Sequence, residues 1–203
     1  MTVTFIDDCE QGEPEWFEYR LGSLGGSSVN GAIAAGGKGK TSKTLIRKLL
    51  AEKLTRKQVE FFKSEAMQTG NDREAESRDF LSFTEGVKIQ QCALIKNDMF
   101  NGMHYSPDGY MPESLGLVEL KNPMGHTQIE LLETGKIGKN YIDQMQFGMM
   151  IAEYEYCIFC SYVPGIKPFI KRVEVDAGYQ EAMSDNLDVF FKEMKRIEEL
   201  ISV

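Results

Sequence analysis

The stretch Ser106-Pro-Asp-Gly-Tyr-Met-Pro-Glu-Ser-Leu-Gly-Leu-Val-Glu-Leu-Lys121 constrains this chain more than any other. Ser-Pro-Asp-Gly has the composition of a tight turn, because Pro presets φ, Asp bonds its own backbone and Gly tolerates left-handed conformations. Leu115 to Leu120 reads as a short strand, with Leu115, Leu117 and either Val118 or Leu120 apolar and Gly116 permitting close backbone approach. Residues two apart in a strand share a face, so Glu119 and Lys121 point the same way. A hairpin bend would bring Asp108 beside them. Two adjacent carboxylates repel, and a divalent cation such as Mg²⁺ or Mn²⁺ relieves the repulsion. A lysine next to that cation can place or deprotonate a water, which is the equipment of a metal-dependent phosphodiesterase. The same residues also suit an ordinary turn followed by a solvated strand face, so the triplet alone leaves both readings open.

A chain of 203 residues can bury a proper core as one domain, here residues 1–203. Its 42% hydrophobic and 27% charged residues are ordinary for a globular protein. The first residues, MTVTFIDDCEQGEPEW, carry neither the basic nor the apolar segment of a signal peptide. No apolar run approaches the roughly 18 residues of a membrane span. An intracellular location, away from membranes, is the expectation, and four cysteines (Cys9, Cys92, Cys157, Cys160) suit a reducing compartment. Cys157 and Cys160 lie in an aromatic, strand-like run where positions three apart face opposite sides, and no second Cys-x-x-Cys completes a zinc site, so both read as buried thiols.

The net charge of −8 argues against indiscriminate coating of nucleic acid. Residues 36–63 nevertheless hold nine Lys/Arg against two acids, a local +7 on an acidic chain. Such a patch points to one phosphate-facing surface or to a solvated helix face.

Pro14 to Arg20 reads as a short helix, and Ser27-Ser28 as N-caps of a helix from Val29 to Ala35. A helix N-terminus there would suit a phosphate. Gly36 to Lys40 reads as a mobile basic loop. Helices are expected over 42–54, 60–84, 138–152 and 177–201, the third with Tyr141, Met145 and Met149 in one row and Gln144 and Gly148 in the next. Glu74 and Arg78 stand four apart, the spacing of a surface ion pair. Gly70 in mid-helix costs about 1 kcal/mol against Ala and asks for a close approach. Strands are expected over 86–95, 102–105, 154–163 and 168–175. His104 reads as a structural histidine near the site, and His126 as a loop residue. The order suits an α/β (α+β) fold with a mixed central β-sheet flanked by helices.

Four blocks then stand in order: Trp16 with Arg20-Leu-Gly-x-x-Gly-Gly-Ser27, Gly70-x-x-x-Glu74, Ser106-Pro-Asp-Gly with Glu119-Leu-Lys121, and Tyr141-x-x-Gln144-x-Gln146. This arrangement resembles the PD-(D/E)XK nuclease superfamily, and within it the phage lambda-type (YqaJ-like) exonucleases. The resemblance implies a restriction-endonuclease-like fold and a Mg²⁺-dependent 5′→3′ exonuclease, with Mn²⁺ as substitute and two ions bound. It makes Asp108, Glu119, the Leu120 carbonyl and Glu74 the metal ligands. Lys121 would position or activate the water, and Gln144 would orient Lys121 or the water. Arg20, Ser27 and Ser106 would hold the 5′-phosphate, with Trp16 and Tyr141 also at the DNA. It further implies double-stranded DNA ends as substrate, a homotrimeric ring and a single-strand annealing recombinase as partner. An endonuclease or single-strand nuclease with the same metal site, and a non-catalytic DNA-end-binding module, are the alternatives. Glu113, between Asp108 and Glu119, has no assigned role.

Overall fold

The computed structural model describes residues 2–58 and 73–201. The chain begins with β1 (Val3–Ile6), α1 (Pro14–Arg20) and β2 (Leu24–Gly25), followed by a 3₁₀ turn (Gly26–Ser28), α2 (Val29–Ile33) and α3 (Lys40–Thr55). Next come α4 (Glu74–Glu85), β3 (Leu94–Asn97), β4 (Met103–His104), β5 (Gly109–Met111) and β6 (Gly116–Lys121). The chain ends with α5 (Gly125–Thr134), α6 (Lys139–Ala152), β7 (Tyr156–Val163), β8 (Ile166–Glu174) and α7 (Ala177–Ile201). No helix among the described residues is long and apolar enough to cross a membrane.

β5, β6, β7 and β8 form a mixed sheet in that order, antiparallel, parallel, antiparallel. Parallel neighbours need a crossover, and α5 with α6 supply it between β6 and β7. Five of the six residues of β6 are buried, as expected for a strand covered on both faces. On one face Leu117, Cys157 and Phe159 pack with Met145 and Phe147 of α6 and with residues of α2, α3 and α7. On the other, Val118, Leu120, Ile158 and Cys160 pack with Leu81 of α4. The two central cysteines therefore face opposite cores, as their spacing predicts, and both are free thiols. Helix α7 buries Met183, Leu187, Phe190 and Met194, one stripe at helical spacing.

Several expectations are corrected. Ser27 and Ser28 cap nothing with their side chains; the chain passes through the 3₁₀ turn, and α2 ends at Ile33 before Ala35 takes φ 50°. The Gly36–Lys40 segment is pinned: Gly37 is buried at φ +74°, and a Cβ there would strike the Asn186 carbonyl of α7. The strand expected from 86 starts only at Leu94, because residues 86–93 run beside β5 with one bridge, Gln90 to Tyr110. His126 lies in the first turn of α5, a helix hidden in the sequence by the preceding Pro123 and Gly125. β1, four residues at the chain start, pairs antiparallel with β3 and was also not expected. The helix expected over 60–84 is described from Glu74 onward; its earlier part, with Gly70, lies outside the described residues.

Candidate active site

The hairpin forms, but its bend is the 3₁₀ turn Pro112–Ser114, closed by Leu115 at φ 52°; Ser-Pro-Asp-Gly, expected to be the turn, instead runs into β5 at Gly109. β5 and β6 pair with Gly109 opposite Val118, which sets Asp108 alongside Glu119. The Leu120 N–H donates to Asp108 Oδ2 at 2.6 Å. The Lys121 ammonium donates to Glu119 Oε1 and lies 3.9 Å from Asp108 Oδ2. Glu119 is wholly buried on the α6 side of the sheet, and Tyr105 Oη donates to its Oε2 at 2.8 Å. A buried carboxylate is costly unless paired and hydrogen-bonded, and Lys121 and Tyr105 supply both. Burial pushes the Glu119 carboxyl above the usual range, Asp108 pushes the same way, and Lys121 pulls it back. Burial alone would lower the Lys121 ammonium, but Glu119 and Asp108 override it and hold Lys121 above its ordinary value.

Glu74 opens α4 beside this cluster. Arg78 Nη2 donates to Glu74 Oε1 at 2.5 Å, and Arg78 Nε donates to the Asp108 carbonyl at 2.9 Å. The pair is thus not the surface ion pair its spacing suggests: the Arg78 side chain is only 12% exposed, and it ties α4 to the entrance of β5. Burial and then Asp108 push the Glu74 carboxyl upward, against Arg78.

The glycine pair of the first block has a packing explanation. β2 and β4 run parallel with Gly25 opposite His104. A Cβ on Gly25 would stand 2.7 Å from His104 Nε2, and one on Gly26 would stand 2.7 Å from Tyr105 Cδ2. A Cβ on Gly148 would likewise stand 2.5 Å from Tyr105 Cζ. Gly26 and Gly148 therefore form a slot for the Tyr105 ring, which delivers its hydroxyl to Glu119.

On the other side of β4, Arg20 Nε donates to His104 Nε2 at 3.1 Å, and the Arg20 guanidinium stacks on Trp16 with its carbon 3.8 Å from the ring centroid. Trp16 Nε1 donates to Ser106 Oγ at 3.2 Å and to the Ala93 carbonyl at 3.0 Å. Burial lowers Arg20 to about 10, with Glu52 opposing, and the guanidinium stays charged. Arg20, Trp16 and Ser106 are thus brought together two residues from Asp108. Ser27 is exposed on the 3₁₀ turn, and it is Ser28 that lines the Arg20 cleft with Lys48. Tyr141 presents its ring 5.3 Å from Lys121 Nζ. Gln144 lies against the Gly26 turn, 3.5 Å from where a Cβ would stand. Gln146 points away, its side chain bonded to the Glu174 carbonyl and the Asp176 N–H. Glu113 sits exposed on the 3₁₀ turn of the β5–β6 hairpin, remote from the carboxylate pair in sequence register.

Among the described residues, no three His, Cys, Asp or Glu side chains stand close enough together to hold a metal ion. Mg²⁺, however, usually takes one or two carboxylates and fills its octahedron with waters and substrate phosphates. Asp108 and Glu119 are hard oxygen donors of that kind, drawn together by one ammonium and joined by the Leu120 backbone. The donor set suits Mg²⁺ or Mn²⁺.

Tyr105, Arg78 and His104 are the contacting residues that sequence reasoning missed or undervalued. The mid-helix Gly148 and the Gly25-Gly26 pair were the signals that something large approaches there.

No curated protein sequence matches the chain. Among solved structures, the alkaline exonuclease LHK-Exo from Laribacter hongkongensis superposes with a TM-score of 0.85 at 28% identity, over 93% of this chain and 96% of that one. Its complex with dAMP gives the same figures. A phage-related exonuclease from Haemophilus somnus 129PT shares the fold at a TM-score of 0.68 and 15% identity, over 93% of this chain and all of that one. The model of the YqaJ-like viral recombinase domain matches residues 15–155, from the Trp16 helix through the carboxylate hairpin to β7, and the chain belongs to that family.

Proposed function

We propose that this nuclease is a metal-dependent 5′→3′ exonuclease that digests linear double-stranded DNA from 5′-phosphorylated ends and leaves 3′ single-stranded tails for recombination. The observation that carries the reading is the convergence of Asp108 and Glu119 on Lys121 across the β5–β6 pair. The likeness to an alkaline exonuclease, also solved with dAMP, supports exonuclease chemistry.

Asp108, Glu119 and the Leu120 carbonyl are the residues to hold Mg²⁺ (Mn²⁺ as substitute, two ions in the full site), with Glu74 contributing directly or through water. When bound, the metal supplies Lewis-acid stabilisation of the charge that develops on the phosphoryl and leaving oxygens. Lys121 positions or activates the attacking water. Tyr105 keeps the Glu119 carboxylate in one rotamer through its hydrogen bond. Tyr141 flanks the lysine on the α6 side, and Gln144 of the same helix is proposed to orient Lys121 or the water. Arg20, stacked on Trp16, offers its terminal amino groups to the 5′-phosphate, with Ser106 and Ser27 as the further groups proposed to hold it. A ring of three copies around DNA and a single-strand annealing partner belong to the same reading and rest on the family resemblance.

The test compares wild type with Asp108→Ala on linear and covalently closed duplex DNA, in Mg²⁺ and in EDTA. Mononucleotide release from linear DNA only, dependent on metal and lost in the variant, is expected. Cutting of the closed circle would replace the exonuclease by an endonuclease with the same site. No cutting in any metal would leave a DNA-end-binding module.

A further inference from the structure

His104 is buried, with 2% of its surface exposed, and both ring nitrogens are engaged. Its Nδ1 lies 2.6 Å from Ser23 Oγ, and its Nε2 lies 3.1 Å from Arg20 Nε. A guanidinium only donates, so Nε2 is the acceptor. The single Ser23 hydroxyl proton goes to the Arg20 carbonyl at 3.0 Å. Ser23 Oγ must then accept from Nδ1–H, and one tautomer of the neutral ring satisfies the whole chain. Burial, with Arg20 and then Lys96 nearby, depresses the imidazole to about 3, so it remains an acceptor near neutral pH. Gly25 leaves the ring no neighbouring Cβ to displace it.

These contacts converge on Arg20. Its Nε is anchored by His104, its face by Trp16, and its backbone carbonyl by Ser23. The plane of the guanidinium is fixed, and the terminal amino groups form the edge that suits paired hydrogen bonds to a phosphate. We infer that His104 is a positioning residue for Arg20, and that the Ser23–His104–Arg20 chain sets the preference for a 5′-phosphorylated over a 5′-hydroxyl DNA end. The inference rests on the proposed contact of Arg20 with the terminal phosphate. His104 itself touches no substrate. Its effect is to order a long side chain before the DNA arrives, so that less freedom is lost on binding.

The test measures initial digestion rates, with KM and kcat separated, on duplexes that differ only in a 5′-phosphate or 5′-hydroxyl end. Wild type, His104→Phe, His104→Gln, Ser23→Ala and Arg20→Ala are compared, with folding checked by circular dichroism and melting. His104→Phe keeps a ring but no acceptor, and its phosphate-over-hydroxyl preference should fall about tenfold, mainly through KM. His104→Gln offers an acceptor oxygen and should restore most of that preference, which a merely space-filling role would not explain. If His104→Phe does not fold, Ser23→Ala carries the test, with a loss of about threefold expected from freeing the ring. An unchanged preference in a folded His104→Phe or Ser23→Ala, while Arg20→Ala abolishes it, would overturn the inference and leave the role of Arg20 standing. An unchanged preference in Arg20→Ala would remove the role of Arg20, and this inference with it.

Discussion

Replacing Gly148 by Ala should destabilise the protein, although the same change in most helices does the opposite. Gly148 lies within α6, where Ala is better than Gly by about 1 kcal/mol on helix propensity alone. Here the added Cβ would stand 2.5, 2.7 and 2.8 Å from Cζ, Cε1 and Cε2 of Tyr105. The ring is also crowded by Gly26, where a Cβ would stand 2.7 Å from Tyr105 Cδ2. Overpacking of this kind costs about 1–3 kcal/mol. A ring forced aside also strains the Tyr105 bond to buried Glu119, and a hydrogen bond to a charged group contributes about 1.5–3 kcal/mol. Against the propensity gain, a net loss of about 2 kcal/mol follows. For a chain of this size each kcal/mol moves Tm by about 2–4 °C, so a fall of roughly 4–8 °C is expected. Gly31 of α2 is the control: a Cβ there would meet Thr41 Cγ2 only at 3.4 Å, an ordinary contact, and Gly31→Ala should be neutral or stabilising. Calorimetry or urea unfolding in EDTA reads both variants, and DNA digestion should weaken only in Gly148→Ala. A Gly148→Ala protein that melts at or above wild type with full activity would refute the slot around Tyr105.

Three further outcomes follow from the same contacts. Tyr105→Phe keeps the ring in its slot but removes the donor to Glu119; stability should fall by about 1–3 kcal/mol, and direct Mn²⁺ binding followed by electron paramagnetic resonance should weaken, whereas equal Mn²⁺ affinity would argue against Tyr105 orienting Glu119. Arg78→Met leaves Glu74 and the Asp108 carbonyl without their shared donor, and because the pair is partly exposed a loss of about 1–2 kcal/mol by urea unfolding is expected, well below the cost of breaking a fully buried pair; no change in either stability or digestion would demote the link between α4 and β5. For His104 the folded value of about 3 lies below the unfolded 6.5, so between these values the unfolded state binds more protons and stability falls as pH falls, with a slope approaching about 1.4 kcal/mol per pH unit; His104→Gln should flatten the wild-type curve by that slope between pH 6.5 and 4.5, and parallel curves would contradict a buried neutral ring.

The parts of this architecture that announce themselves in the sequence are those whose signal is local. β6 shows its carboxylate and lysine two apart, and the stripe from Met183 to Met194 shows α7. The bend does not show itself, for it lies at Pro112–Ser114 and not at Ser-Pro-Asp-Gly. What could not be read are contacts between distant segments. Tyr105 is an unremarked aromatic before a turn until Gly26 and Gly148, from two other elements, are seen to enclose it. Arg78 reads as half of an i,i+4 pair because its second bond is to a backbone carbonyl thirty residues on. The Gly36–Lys40 segment reads as loose because its glycines are adaptable; in the fold that adaptability lets it lie against α7. The ordered blocks contain the Arg20, Trp16 and Ser106 cluster, and His104 reads as a structural histidine near the site, which its burial and two engaged ring nitrogens bear out; only Ser23 carries no signal.

The polarity of digestion tests the central claim most directly. A linear duplex carrying a 5′-phosphate on one strand only, and a fluorophore at the 3′ end of that strand, is incubated with the protein and Mg²⁺. Stepwise shortening of the labelled strand from its 5′ end, with the label retained to the last and the complementary strand left as a 3′-tailed product, is the predicted result. Early release of the label as a mononucleotide, or its appearance on internal fragments, would contradict a 5′→3′ exonuclease.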